Sequence, residues 1–142
     1  MKTSARNQWS GRVKSVHFGA VTAEVCVALE GGAEIVSSIT IDSAKKMALE
    51  AGREVLVLVK APMVILVLNL EGYMLSARNQ LTGEVIEVRQ GPVTADVTLR
   101  LEGGDQVTAS ITSDSADTLG LSPGVAATAV FKAGSVVLAA KV

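Results

Sequence analysis

The sequence predicts a mainly β protein made of two tandem five-stranded barrels of the OB type, each with one short helix. Three observations carry this reading. The chain repeats itself without a gap at a spacing of 72 residues, the spacing of Ser4 from Ser76. Apolar residues make up 49% of the chain but aromatics only 3%, so Val, Leu, Ile and Ala must fill the core, and β-branched residues favour strands. Within each copy, apolar and polar residues alternate in several short runs, interrupted by a single helical stretch.

The repeat is explicit. Ser-Ala-Arg-Asn-Gln stands at Ser4–Gln8 and again at Ser76–Gln80. Gly19–Val25 falls on Gly91–Val97, Leu29–Gly32 on Leu101–Gly104, and Lys60-Ala61 on Lys132-Ala133. Ser38-Ile39-Thr40 and Asp42-Ser43-Ala44 fall on Ser110-Ile111-Thr112 and Asp114-Ser115-Ala116. About four in ten positions agree, the mark of a tandem duplication joined near Glu71-Gly72-Tyr73. The expected domains are residues 1–71 and 72–142.

The elements follow in order. A strand is expected from Ser4 to Phe18, bent at Gly11. A second spans Ala20–Leu29, with Val21, Ala23, Val25 and Val27 on one face. Glu30-Gly31-Gly32 turns the chain into a third strand, Ala33–Ile41, because glycine tolerates positive φ. Asp42–Ala51 reads as a helix with Ala44, Met47, Ala48 and Ala51 on one side and Gly52 as its cap. Arg53–Val59 and Met63–Leu68 are expected to close a last hairpin through Lys60-Ala61-Pro62. The second copy follows suit, with Leu121-Ser122-Pro123-Gly124 ending its helix. Five strands with a helix between the third and fourth is the OB pattern.

Composition excludes several function classes. Net charge is −1 with both signs scattered, so no basic stripe argues for nucleic acid. The apolar stretch from Val55 to Leu70 is broken by Lys60, Pro62 and Asn69, short of the roughly 20 residues a membrane helix needs. MKTSARNQW has no apolar core of a signal peptide, and the lone Cys26 fits a reducing compartment, so a cytoplasmic protein is expected. His17 and Cys26 are replaced by Arg89 and Thr98 in the second copy, so neither reads as catalytic and no enzyme is expected. His17 is read as exposed and Cys26 as half-buried. No G-x-x-x-x-G-K-[ST] phosphate loop occurs. An oligonucleotide-binding module is the alternative an OB barrel suggests, but stacking platforms need aromatics and only Trp9, Phe18, Tyr73 and Phe131 exist.

What the duplication retains is rich in hydrogen-bond donors. Ser4, Arg6, Asn7, Thr40, Ser43 and Lys60 match Ser76, Arg78, Asn79, Thr112, Ser115 and Lys132. Other surface positions have drifted, as in Arg12/Glu84, Lys14/Ile86 and Lys45/Asp117. Arginine offers a planar fork to oxyanions, lysine a point charge, and hydroxyls further donors. Thr40 and Ser43 bracket a helix start, whose free N–H groups favour anions, and the turns at Ala61 and Ala133 add backbone N–H groups. A small tetrahedral dianion held only by hydrogen bonds suits such a group, with no bare metal cation. Asp42 and Asp114 would repel it and are expected to turn outward or cap the helix.

SARNQW at Ser4–Trp9, T-x-x-S at Thr40–Ser43 and KAP at Lys60–Pro62 resemble the molbindin (Mop-domain) family, and the resemblance covers essentially the whole chain as two tandem domains. It implies intracellular binding, storage and homeostasis of molybdate or tungstate, in homotrimers whose oxyanions lie at domain interfaces. The family's serine and arginine fall on Ser4 and Arg6, its threonine and serine on Thr40 and Ser43, its lysine and alanine on Lys60 and Ala61. The second set falls on Ser76, Arg78, Thr112, Ser115, Lys132 and Ala133. A further site class near the symmetry axis would draw on Gly19, Val21, Thr22, Gly91, Val93 and Thr94. One departure is Ala61-Pro62-Met63 against Ala133-Gly134-Ser135: losing proline loosens the turn, so the two sites are expected to differ in affinity. The family also forms part of molybdate-responsive transcription regulators, whose DNA-binding half has no match in this sequence.

Overall fold

A computed structural model describes all residues, Met1–Val142. The first half contains β1 (Asn7–Phe18), β2 (Thr22–Leu29), β3 (Glu34–Thr40), α1 (Ile41–Lys46), β4 (Glu54–Val59) and β5 (Ile65–Val67). The second contains β6 (Asn79–Gln90), β7 (Thr94–Leu101), β8 (Gln106–Thr112), α2 (Ser113–Leu119), β9 (Ala126–Phe131) and β10 (Val137–Ala139). Five strands and one short helix per half are what the sequence predicts.

Alternation builds the sheets. Along β2, Ala23, Val25, Val27 and Leu29 are buried while the residues between them are not. Val21, expected on that face, precedes the strand and is 79% exposed. Gly11 does not bend β1. The bulge comes at Lys14, where the register with β2 jumps between Val13 and Ser15, and again at Ile86 in β6. Gly11 instead lets β2 approach: a Cβ there would lie 2.7 Å from the Ala28 carbonyl oxygen. The first helix is shorter than expected, capped at Met47 with Ala48 in the left-handed region at φ 49°. Gly52 sits in the turn before β4, donating its N–H to the Val13 oxygen. The second helix ends at Gly120, φ 65°, before the Leu121–Gly124 segment rather than within it.

The last hairpin does not form. The two sheets have the orders β10-β4-β1-β2-β3 and β5-β9-β6-β7-β8, so the halves exchange their final strands. Leu66 pairs with Ala129 and Leu138 with Val57. After Val59 the chain enters a 3-10 turn at Ala61–Met63, which carries it into the other sheet. Ala133–Ser135 makes the same turn, with Gly134 in place of Pro62. A barrel in this chain is therefore not one contiguous repeat.

Exchange fuses the halves around one core of 24 buried residues drawn from both. Trp9 stacks on Phe131 across the junction, ring centroids 6.5 Å apart, and its indole N–H donates to the Gln106 oxygen. The outer edges of the sheets are also covered. Asn79 lays its carboxamide along β3, donating to the Val36 oxygen and accepting from the Val36 N–H, both at 2.8 Å. Asn7 does the same to Thr108 on β8. Each amide thus acts as one residue of an added strand on an edge that would otherwise be open. The β2–β3 and β7–β8 turns meet back to back, and a Cβ on Gly103 would lie 1.6 Å from the Gly31 oxygen. No helix is long and apolar enough to cross a membrane.

Candidate functional site

The duplicated polar residues divide by what they already touch. Asn7 and Asn79 are 2% and 1% exposed, and both ends of their amides are engaged by backbone of the other half. They were expected among the anion donors. Edge pairing accounts for their retention without an anion, engaging the amide oxygen and one N–H of each.

Thr40 and Thr112 are the N-caps of α1 and α2. Each threonine oxygen accepts from the backbone N–H of the serine three residues on and donates to that serine's hydroxyl oxygen. The hydroxyl hydrogens of Ser43 and Ser115 are thereby left to donate outward. Asp42 points away, pairing with Lys46 one turn along. Asp114 lies in the first turn of α2 and is exposed, as expected.

Arg6 and Arg78 reach across the junction. Arg6 Nη2 lies 3.1 Å from Asp96 Oδ2 on β7. Arg78 Nη1 donates to both oxygens of Glu24 on β2, at 2.7 and 2.8 Å. Sequence reasoning missed both carboxylates, because an acid beside an anion site reads as a repelling group. The only available signal was that position 24 and its counterpart 96 stay acidic while changing size. Lys60 and Lys132 are exposed and make no ion pair or side-chain cap bond. Each precedes a 3-10 turn whose first residue, Ala61 or Ala133, has an N–H with no partner inside the turn.

The grouping by copy that the sequence suggests does not hold in space. Val59, just before Lys60, pairs with Asn7 at the start of β1. Thr40 pairs with Thr22, beside the far end of β1 where Phe18 meets Ala23. A 12-residue strand rising about 3.3 Å per residue separates them. Contacts between halves run the other way. Trp9 meets Gln106, Asn7 meets Thr108, and Arg6 meets Asp96, the strand partner of Ser110. Stepping back along the chain toward Ser4 thus steps forward along β8 toward Thr112. The turn holding Ala61 also packs on β8. Ser4, Arg6, Lys60 and Ala61 therefore face the helix start of the second half, Thr112 and Ser115. By the same geometry Ser76, Arg78, Lys132 and Ala133 face Thr40 and Ser43, with the Ala133 turn packed on β3.

The remaining candidates lie elsewhere. Gly19–Thr22 and Gly91–Thr94 form tight hairpin tips, each closed by a glycine N–H donating to the threonine oxygen at 2.8 Å. Val21 and Val93 protrude from them, 79% and 74% exposed. His17 is exposed and Cys26 half-buried, as expected. Burial first, then the nearby Glu34 carboxylate, raises the Cys26 thiol above its ordinary pKa, the reverse of an activated nucleophile. No group of three or more His, Cys, Asp or Glu stands ready for a metal ion.

These features define a class: a pair of strand-exchanged small barrels with two groups of hydrogen-bond donors, each drawn from both halves. The chain belongs to the TOBE domain family, whose domain matches residues 3–66 and 75–138, and the molbindin resemblance holds. It is 49% identical over 139 residues to the molybdenum transport protein ModE of Azotobacter vinelandii, covering 98% of this chain and 51% of that protein. It is 48% identical over 66 residues to molybdenum-pterin-binding protein 3 of Clostridium pasteurianum, covering 97% of that protein and 46% of this chain. A crystal structure of the cytoplasmic molybdate-binding protein ModG with molybdate bound superposes with a TM-score of 0.95 at 46% identity, covering 99% of this chain and 100% of that one. The chain spans about half the length of the ModE relative, and the relatives named here are described as binding and transport proteins.

Proposed function

We propose that this chain binds molybdate, and tungstate equally as a tetrahedral dianion of similar shape, at two clusters between its halves, and so stores and buffers the anion in the cytoplasm. The observation that carries the reading is the pair Lys60 and Lys132. Both are cations without a carboxylate partner, and each stands beside a cross-reaching arginine and a free turn N–H, facing a hydroxyl-capped helix start. Ser4, Thr112 and Ser115 complete one set; Ser76, Thr40 and Ser43 complete the other. Similarity to ModG over the whole of both chains supports the same choice of anion. A homotrimer fits the apolar residues left outside the core, among them Val21, Ile65, Val93 and Val137. A nucleic-acid role is disfavoured within this chain because Trp9 and Phe131 are buried and cannot serve as stacking platforms.

Isothermal titration tests the reading. Molybdate and tungstate are expected to bind well, and phosphate weakly, because its remaining proton at neutral pH needs an acceptor and the carboxylate at each cluster is already engaged by an arginine. Equal affinity for phosphate, or no heat with molybdate, rejects it. Light scattering that gives a monomer at micromolar concentration with and without molybdate rejects the trimer.

A further inference from the structure

Resting on the anion sites just described, we propose that Glu24 and Asp96 are built-in competitors for the anion, unequal in strength, so that the cluster containing Arg6 fills before the one containing Arg78. Each carboxylate comes from the half opposite its arginine and holds the guanidinium while the site is empty. An arriving dianion must take donors away from that carboxylate and sit near its charge. Both costs fall as the carboxylate's grip weakens.

The two grips differ. Arg78 Nη1 donates to both Glu24 oxygens at 2.7 and 2.8 Å, whereas Arg6 approaches one Asp96 oxygen at 3.1 Å. Glutamate's extra methylene brings the carboxylate fully onto the guanidinium, and aspartate's shorter arm does not. The neighbours add to the difference. On the outer face of β2–β3, Glu24 shares its surroundings with Cys26 and with Glu34, which is already neutralised by Lys14. At the matching positions β7–β8 carries Thr98 and Gln106, with the two hydroxyls of Thr98 and Thr108 bonded to each other. On the strands the Arg6 side thus has one carboxylate, Asp96, loosely held, and the proposed competition concerns that strand pair; the helix starts differ in the opposite sense, since Asp114 has no basic partner while Asp42 is paired with Lys46. All four ion-pair side chains are between 32% and 54% exposed, so each is a screened surface pair and the anion can displace it. Serving as a competitor gives an acid a reason to persist in both copies beside an anion site.

The test is titration of the full-length protein with molybdate at low salt, comparing wild type, Glu24→Gln, Asp96→Asn and Glu54→Gln. Wild type is expected to show two classes of site separated in affinity by about three- to tenfold, the size of one exposed ion pair plus screened repulsion. Glu24→Gln strengthens the weaker class and closes the gap. Asp96→Asn strengthens the tighter class and widens it. Glu54→Gln removes an equal charge from the exposed Arg12 pair and leaves both classes within twofold. Raising the salt shrinks the effect of the first two. Identical classes in wild type, or weaker binding in Glu24→Gln and Asp96→Asn, overturns the proposal while leaving molybdate binding intact. A wild type that takes up no molybdate removes both this proposal and the function it rests on.

Discussion

The two halves share backbone but not the means of holding it. At one end of the junction Trp9 stacks on Phe131; at the matching place the second copy has Leu81 and the first copy has Val59. β9 is buried at five of six positions while β4 alternates, so the second half contributes more deeply to the shared core. α2 ends on a glycine in the left-handed region, whereas in α1 an alanine takes that conformation. The edge amides Asn7 and Asn79, the hydroxyl caps and the unpaired lysines agree almost atom for atom. The polar features that cover an edge or face the clusters are retained, while the apolar packing, including the aromatic contact across the junction, has diverged.

The comparison can be broken at its most unequal point. Phe131→Ala empties an aromatic-sized hole at the junction and should cost about 3–5 kcal/mol, against about 2 kcal/mol for the matching Val59→Ala. Urea denaturation followed by Trp9 fluorescence measures both, and equal losses contradict the unequal packing. Where the halves agree, the effects should agree. Asn7→Ala and Asn79→Ala each strand a backbone N–H and C=O on a half-buried edge, costing about 2–3 kcal/mol apiece. A loss at one and not the other would show that only one edge needs covering.

Binding sharpens the comparison further. Lys60→Ala and Lys132→Ala should each lower molybdate affinity about ten- to a hundredfold, the loss of a charge-assisted hydrogen bond of about 1.5–3 kcal/mol. The melting temperature of the anion-free protein should not move, since neither lysine has a protein partner. Normal binding in the double variant would remove both lysines from the sites. The smallest effect tests the helix ends. Ala48→Gly gives α1 the left-handed residue that α2 already has and should stabilise the protein by about 0.5–1 kcal/mol. Destabilisation there would mean that the Ala48 methyl group contributes packing.

Much of this was legible because a duplication is an internal control. Positions kept over 72 residues while Lys14 became Ile86 and Lys45 became Asp117 had to be held by something. Strand number and the helix after β3 followed from pattern, whereas the pattern places Thr40 and Thr112 at a helix start without marking them as its caps. Asn7 and Asn79 show the limit of that logic: retention marks constraint, but not whether a ligand or a backbone edge imposes it. Glu24 and Asp96 show the opposite limit, since an acid next to proposed anion donors carries no sequence signal that it is paired. The bulges at Lys14 and Ile86 were missed because a glycine three residues earlier was the more obvious place to bend.

By itself the sequence determined two β-rich copies, their alternation, their turns and an inventory of donors, because those depend on local periodicity and on side-chain chemistry. Only the tertiary structure decided which copy completes which. Ile65–Val67 is three residues long with one buried side chain, and two apolar six-residue strands, β4 and β9, are available to lie beside it. A three-residue pattern is too short to select between them; the path of the 3-10 turn through Ala61–Met63 does. That choice moves the lysine of each copy toward the helix start of the other and turns two lists of residues along the chain into two clusters in space.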